Sequence, residues 1–182
     1  QGFVGVGGSA FLRQIKNADD ATVDGTEVTA RFELQRLLPD SWQGGWRDFV
    51  YMQANATLID SEVQLDGRGL ETRSQRPLQG QADEVYNLQI GYDGELHDID
   101  LSYNHVGERL QIAGVQGQPD VYEEPADKLD LNYSYWLNDS WKFKFKGGNL
   151  LDSKIELTQG GEIYRAYREG RSYSVSVSWT FE

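Results

Sequence analysis

The stretch 172–182 reads SYSVSVSWTFE. Ser172, Ser174, Ser176, Ser178 and Thr180 alternate with Tyr173, Val175, Val177, Trp179 and Phe181. On an extended chain successive side chains point to opposite faces, so one face of this strand is all hydroxyl and the other all apolar or aromatic. Such a strand suits surroundings that are greasy on one side and wet on the other.

The same period of two recurs upstream in seven further segments. Val4, Val6, Ala10 and Leu12 share a face in the first, and Val28, Ala30, Phe32 and Leu34 in the second. Val50, Met52, Ala54, Ala56 and Leu58 do so in the third, and Tyr86, Leu88, Ile90 and Tyr92 in the fourth. Ile99, Leu101 and Tyr103 form the fifth row, and Leu129, Leu131, Tyr133, Tyr135 and Leu137 the sixth. The seventh sets Trp141, Phe143 and Phe145 against Lys142, Lys144 and Lys146.

A soluble β-sandwich alternates in the same way, but the connections separate the two. Counted back from the C-terminus they run long (147–171), short (138–140), long (106–127), short (93–95), long (60–83), with 39–47 intermediate and 14–25 moderately long. All short turns then lie at one end and all long loops at the other, the arrangement of bacterial outer-membrane barrels, whose short turns are periplasmic. Tyr133, Tyr135, Trp141, Tyr173, Trp179 and Phe181 fall near strand ends on the apolar rows, where interfacial girdles need them. The expected fold class is an all-β, transmembrane antiparallel β-barrel with about eight strands present.

Composition agrees with a membrane strand protein and excludes other classes. The 182 residues carry a formal net charge of −12, which repels phosphate backbones and makes nucleic acid a poor partner. Mean hydropathy is −0.61, and no apolar run approaches the roughly 18 residues of a membrane helix; barrel strands escape such averages. There is no cysteine for a disulfide or thiolate site. The opening QGFVGVGGSAFL has no signal-peptide pattern, which leaves a removed signal or an excerpt of a longer chain as expectations.

Several stretches carry a family resemblance. Residues 143–181, FKFKGGNLLDSKIELTQGGEIYRAYREGRSYSVSVSWTF, contain Asn-Leu-Leu-Asp at 149–152 after one strand and Tyr-Arg-x-Gly-Arg at 167–171 before the last. Together with VDGTEVTARFELQ (23–35), RPLQGQADEVYNLQIGYD (76–93) and YNHVGERL (103–110), this resembles the C-terminal end of TonB-dependent outer-membrane receptors. The alternating last strand closed by Phe181 is similar to the signal by which such barrels reach their insertion machinery; Tyr173, Val175, Val177 and Trp179 would complete that signal, and Glu182 departs from the pattern.

The resemblance implies a 22-stranded barrel with a plugged lumen. This chain, 1–182, would be its C-terminal portion, with the plug domain not present. It further implies residence in the outer membrane of a Gram-negative bacterium and import of a scarce nutrient (an iron chelate, cobalamin or an oligosaccharide). Partners would be outer-membrane lipid, the insertion machinery, the small nutrient and, through the missing plug, the TonB complex. No cofactor, metal or catalytic residue is expected. A self-contained eight-stranded barrel with an anchoring role is the alternative, because eight strands can close with a packed interior.

His97, Ser102 and His105 suggest a membrane hydrolase, but Ser102 and His105 are three apart on a strand and face opposite ways. Asp120, Glu123, Glu124 and Asp127 could collect calcium but lack a dedicated loop spacing; a solvated acidic loop is the expectation, as for Asp19, Asp20 and Asp24. The Lys142, Lys144 and Lys146 row is expected to pair with Asp130 across the lumen wall or to meet a plug. Arg68, Arg73 and Arg76 in one long loop, and Tyr164, Arg165, Tyr167, Arg168 and Arg171 in another, mix aromatic and guanidinium groups that recognise sugars, carboxylates or anionic chelates. For 167–171 packing against the last strand is the expectation. Arg73, Arg76, Tyr122 and Tyr164 are the candidate ligand contacts.

Overall fold

The computed structural model describes residue 18, residues 20–65 and residues 70–181. The alternating segment at 4–12, Asp19, Arg68 and Glu182 lie outside the described residues. The fold is all-β and antiparallel. In chain order the strands are β1 (Asp20–Glu33), β2 (Val50–Gln64), β3 (Gln75–Arg76), β4 (Glu84–Asp93), β5 (His97–Val106), β6 (Arg109–Ile112), β7 (Val121–Glu123), β8 (Ala126–Trp136), β9 (Trp141–Gly148), β10 (Lys154–Gln159), β11 (Glu162–Arg168) and β12 (Ser172–Trp179). One short helix, α1 (Leu34–Leu37), and two 3-10 turns, Asp40–Trp42 and Gly45–Phe49, join β1 to β2.

Seven strands form one wall in the order β1-β2-β4-β5-β8-β9-β12, with β3 added to β2. Each wall strand is one of the alternating segments, and neighbours in sequence are neighbours in space. The register decides what the wall presents. Phe32, Met52, Ile90, Leu101, Leu131, Gly147 and Tyr173 are successive partners across all seven strands. Two residues nearer the short turns, Val50, Tyr92, Ile99, Tyr133, Phe145 and Val175 do the same. Every apolar row therefore lands on one face, and a one-residue slip in any strand would break the belt. The opposite rows are polar: Arg31, Gln53, Gln89, Ser102 and Asp130 in one, and Glu33, Tyr51, Gly91, Asp100, Asn132, Lys146 and Ser174 in the next.

Among the described residues the apolar face is largely uncovered. Val175 is 74% exposed, Tyr173 63% and Val28 61%. β1 and β12 do not pair with each other, so the described sheet is open. The turns Asp93–His97 and Leu137–Trp141 lie at one end together with residues 34–49, and the long connections lie at the other.

Those long connections are not irregular. β6, β7, β10 and β11 make a second, four-stranded sheet in the order β11-β10-β7-β6, out of segments expected to be loops. Its β10–β11 hairpin turns on Gly160 and Gly161, at φ 61° and 88°, the paired positive values that a two-residue type I′ turn needs and that glycine adopts without strain. Val121, Ile155 and Leu157 form a buried cluster there, with Leu110 wholly inaccessible. β1 and β2 also extend beyond their alternating cores, Asp20–Asp24 pairing with Asp60–Gln64. Backbone pairing holds that extension, and its few apolar residues, Ala21, Val23 and Val63, fall out of phase with the Val28–Leu34 and Val50–Leu58 rows.

Candidate functional site

The long-loop end gathers the candidate ligand residues around one buried carboxylate. Asp120 is 4% exposed, held by the Gly114 N–H donating to Oδ1 at 2.6 Å, and Arg73 approaches its Oδ2 at 3.5 Å. Burial and the neighbouring Asp120 raise the phenol pKa of Tyr122, while the Arg73 guanidinium opposes them. Arg73 and Tyr122, 49 positions apart, thus share a cluster that Asp120 organises.

Arg76 sits on β3 opposite Val63; its Nε and Nη1 are shielded from water without an acceptor among the described residues. A shielded guanidinium without an acceptor is costly unless something else supplies one. Tyr164 lies on β11, 55% exposed, and no hydrogen bond ties it to the Asp120 cluster. The candidate set therefore divides into a pair, a neighbour on the adjoining strand and one residue apart.

The acidic loop residues are each spent on a different partner. Glu123 accepts from Arg109 at 2.6 Å, Glu124 from Thr158 at 2.7 Å, and Asp127 from Tyr103 at 2.8 Å, with His105 Nδ1 at 2.7 Å. Among the described residues no group of three acidic or histidine side chains is placed to hold a metal. Glu108, beside Glu124 and Asp83, has its carboxyl pKa raised, first by burial and then by those two charges.

The polar face of the wall is a connected network. Tyr51 donates to Asp100 at 2.5 Å, Gln89 donates to the same oxygen at 2.8 Å, and Arg31 lies 4.2 Å from the Tyr51 ring centre. Gly91 makes room for that ring: a Cβ there would collide with it. Amides continue the network, Asn104 donating to Asn87 at 2.7 Å, Asn87 to Asn55 at 3.3 Å and Asn55 to Glu27 at 2.7 Å.

The expected pairing of the lysine row with Asp130 does not form. Asp130 accepts instead from the Asn149 N–H at 2.7 Å, and the strand register sets Lys146 opposite Asn132 and Ser174. Lys142 lies 4.1 Å from the Trp136 ring centre.

The 149–152 and 167–171 motifs are halves of one lock. Asn149 and Asp152 both take positive φ, 53° and 50°, closing a turn in which Asp152 N–H donates to the Asn149 carbonyl at 3.0 Å. The Asn149 amide donates to the Gly170 carbonyl at 3.0 Å, Gly170 N–H to Asp152 at 3.1 Å, and Arg171 to the Leu150 carbonyl at 2.9 Å. Arg168 also donates to the Asp152 carbonyl. The motif thus packs against the barrel end, as expected, and seats the start of β12.

His97 and His105 belong to the outward face, at opposite ends of β5. His105 stacks on Tyr86 and His97 on Tyr133 and Tyr135. Ser102 is on the other face, in register with Gln89 and Asp130, so it pairs with neither histidine. The eight residue steps from His97 to His105 span roughly 27 Å along the strand, or about 20 Å at a 40° tilt, close to the height of a barrel's apolar band. Trp141 stacks on Trp179 with centroids 5.4 Å apart, and Phe181 follows at 3.9 Å.

Comparison with known proteins gives a transport relative. The chain is 26% identical over 145 residues to the vitamin B12 transporter BtuB of Vibrio vulnificus (strain CMCP6). That alignment covers 76% of this chain and 19% of the transporter, so the chain spans about a fifth of that relative's length. No family model matches the chain. The likeness is to a transporter rather than an enzyme, in line with the receptors that the C-terminal motifs resemble.

Proposed function

We propose that this chain is the C-terminal part of the barrel of a TonB-dependent outer-membrane receptor, acting in uptake of a scarce nutrient with no chemistry of its own. The observation that carries the reading is the exposed apolar face running unbroken across seven strands, with a hydrogen-bonded polar network behind it. In water such a face would drive aggregation; in hydrocarbon it needs no partner, while the backbone at an open edge does. Among the described residues the outer edges of β1 and β12 have no strand partner; further strands, as in a large barrel, would supply those partners. The BtuB likeness across a fifth of that transporter supports the same placement.

The ligand side is the long-loop end. Arg73, with Tyr122 and the nearby unsatisfied Arg76, would meet an anionic or carboxylate-bearing nutrient there; Tyr164 would contribute a separate contact. Corrinoids, ferric chelates and oligosaccharides are the candidate classes, the first favoured by the BtuB likeness. Growth of a receptor-deleted strain carrying the intact gene, on each class as the limiting nutrient and with or without TonB, tests the reading. TonB-dependent rescue on at least one supports it. Purification of residues 1–182 alone as a closed, heat-modifiable barrel would overturn it in favour of a self-contained barrel.

A further inference from the structure

The connection between β1 and β2 differs from the other links at its end. The turns at 93–97 and 137–141 are short, whereas residues 34–49, LQRLLPDSWQGGWRDF, form α1 and two 3-10 turns. Leu37, Trp42 and Trp46 are 61%, 63% and 58% exposed. Neither indole N–H makes a hydrogen bond to the described residues. Phe49 packs edge-on against Tyr92, with centroids 5.9 Å apart, and Tyr92 stands in the outward row with Val50, Ile99 and Tyr133. The segment thus joins the apolar belt at its lower rim. In a chain of net charge −12, its charges balance: Arg36 and Arg47 against Asp40 and Asp48.

Indoles favour the headgroup level of a bilayer, where the ring meets acyl chains and the N–H meets water or phosphate. A locally neutral segment avoids the repulsion from anionic headgroups that the rest of this acidic chain would meet. We propose that residues 34–49 are a headgroup-level anchor: Trp42 and Trp46 insert into the phospholipid leaflet on the short-turn side, with Arg47, 5.2 Å from the Trp46 ring, against lipid phosphate. The anchor fixes the height of the β1–β2 hairpin, the pair whose long-loop extension stands beside β3 and Arg76. The inference rests on the outward face being the lipid face, and its test separates the two.

The 182 residues hold no cysteine, so single nitroxide labels can be placed in this part of the intact protein through Trp42→Cys, Trp46→Cys, Val175→Cys and Asp139→Cys, with any cysteine elsewhere replaced by serine. In phosphatidylethanolamine–phosphatidylglycerol vesicles, collision rates with oxygen and with a water-soluble nickel chelate report the surroundings. The oxygen-to-nickel ratio at 42 and 46 is expected several-fold above that at 139. A ratio equal to that at 139, or suppression of both collisions by a covering protein, overturns the anchor while 175 still reads lipid. Water-like behaviour at 175 would overturn the lipid-face reading itself. Should the cysteine variants fail to fold, the Trp42→Phe/Trp46→Phe variant is expected to lose the share of fluorescence quenching by headgroup-brominated lipids that these two indoles carry, Trp141 and Trp179 keeping theirs; a quenched intensity equal to that of the parent protein overturns the anchor.

Discussion

In the seven-stranded wall Val175 is 74% exposed and Val28 61%; in the sheet above it Leu110 is 0% exposed and Val121 3%. Both regions are antiparallel and both come from one acidic chain. The wall keeps polar groups bonded to one another on one face and turns apolar groups out, which on the proposed reading leaves hydrocarbon to complete its burial. The loop sheet buries Leu110, Val121, Ile155 and Leu157 within itself, as water requires. Solvent, rather than strand geometry, decides which face of a β-sheet becomes its core.

That contrast can be broken by mutation, and the largest expected effect is in the small core. Leu110→Ala should cost about 3–5 kcal/mol locally, since a wholly buried leucine leaves a cavity. Hydrogen exchange should show amide protection lost in β6 and β7 but kept in β4 and β5. Leu101→Arg, at mid-height on the outward face, should cost about 2–4 kcal/mol, read as a reduced heat-modifiable fraction in vesicles. Lys144→Gln, on the strand face behind the belt, should change that fraction by less than about 0.5 kcal/mol, because no carboxylate partner is lost among the described residues.

The lock between the two regions is expected to be intermediate. Asp152→Ala removes the acceptor of Gly170 N–H and the carboxylate facing Arg168 at 3.9 Å, and should cost about 1–2 kcal/mol. Exchange should accelerate across residues 153–171 without loss of the wall.

The smallest effect is electrostatic. A carboxyl whose folded-state pKa is raised, as at Glu108, favours the fold below its unfolded pKa and opposes it as pH rises through the folded value. Glu108→Gln should therefore slow exchange in β6 slightly at neutral pH, and the difference should vanish below about pH 4, where Glu108 is protonated in both states.

The wall was legible because half-exposed strands write a period of two into the sequence, and the long and short links fall at opposite ends as their lengths implied. The four-stranded sheet was missed. Its strands at 109–112 and 121–123 are too short to show a period, although Gln-Gly-Gly-Glu at 159–162 was a readable hairpin signal. At the candidate site, the Tyr167–Arg171 motif was rightly placed as packing, since it adjoins β12. The meeting of Arg73, Asp120 and Tyr122 depends on two loops folding together, which no local pattern encodes. The Lys–Asp130 pairing failed because Asp130 caps the Asn149 turn, a demand visible only once the turn exists.

The central claim is that hydrocarbon covers the outward rows. Single cysteines at each of positions 172–179 of the intact, vesicle-inserted protein, spin-labelled and probed with oxygen and a nickel chelate, test it along one strand. The account predicts a period of two: oxygen-rich collisions at 173, 175, 177 and 179, and nickel-accessible or protein-shielded labels at 172, 174, 176 and 178. Labels at 173, 175 and 177 that collide freely with the nickel chelate, or with neither probe, would contradict it.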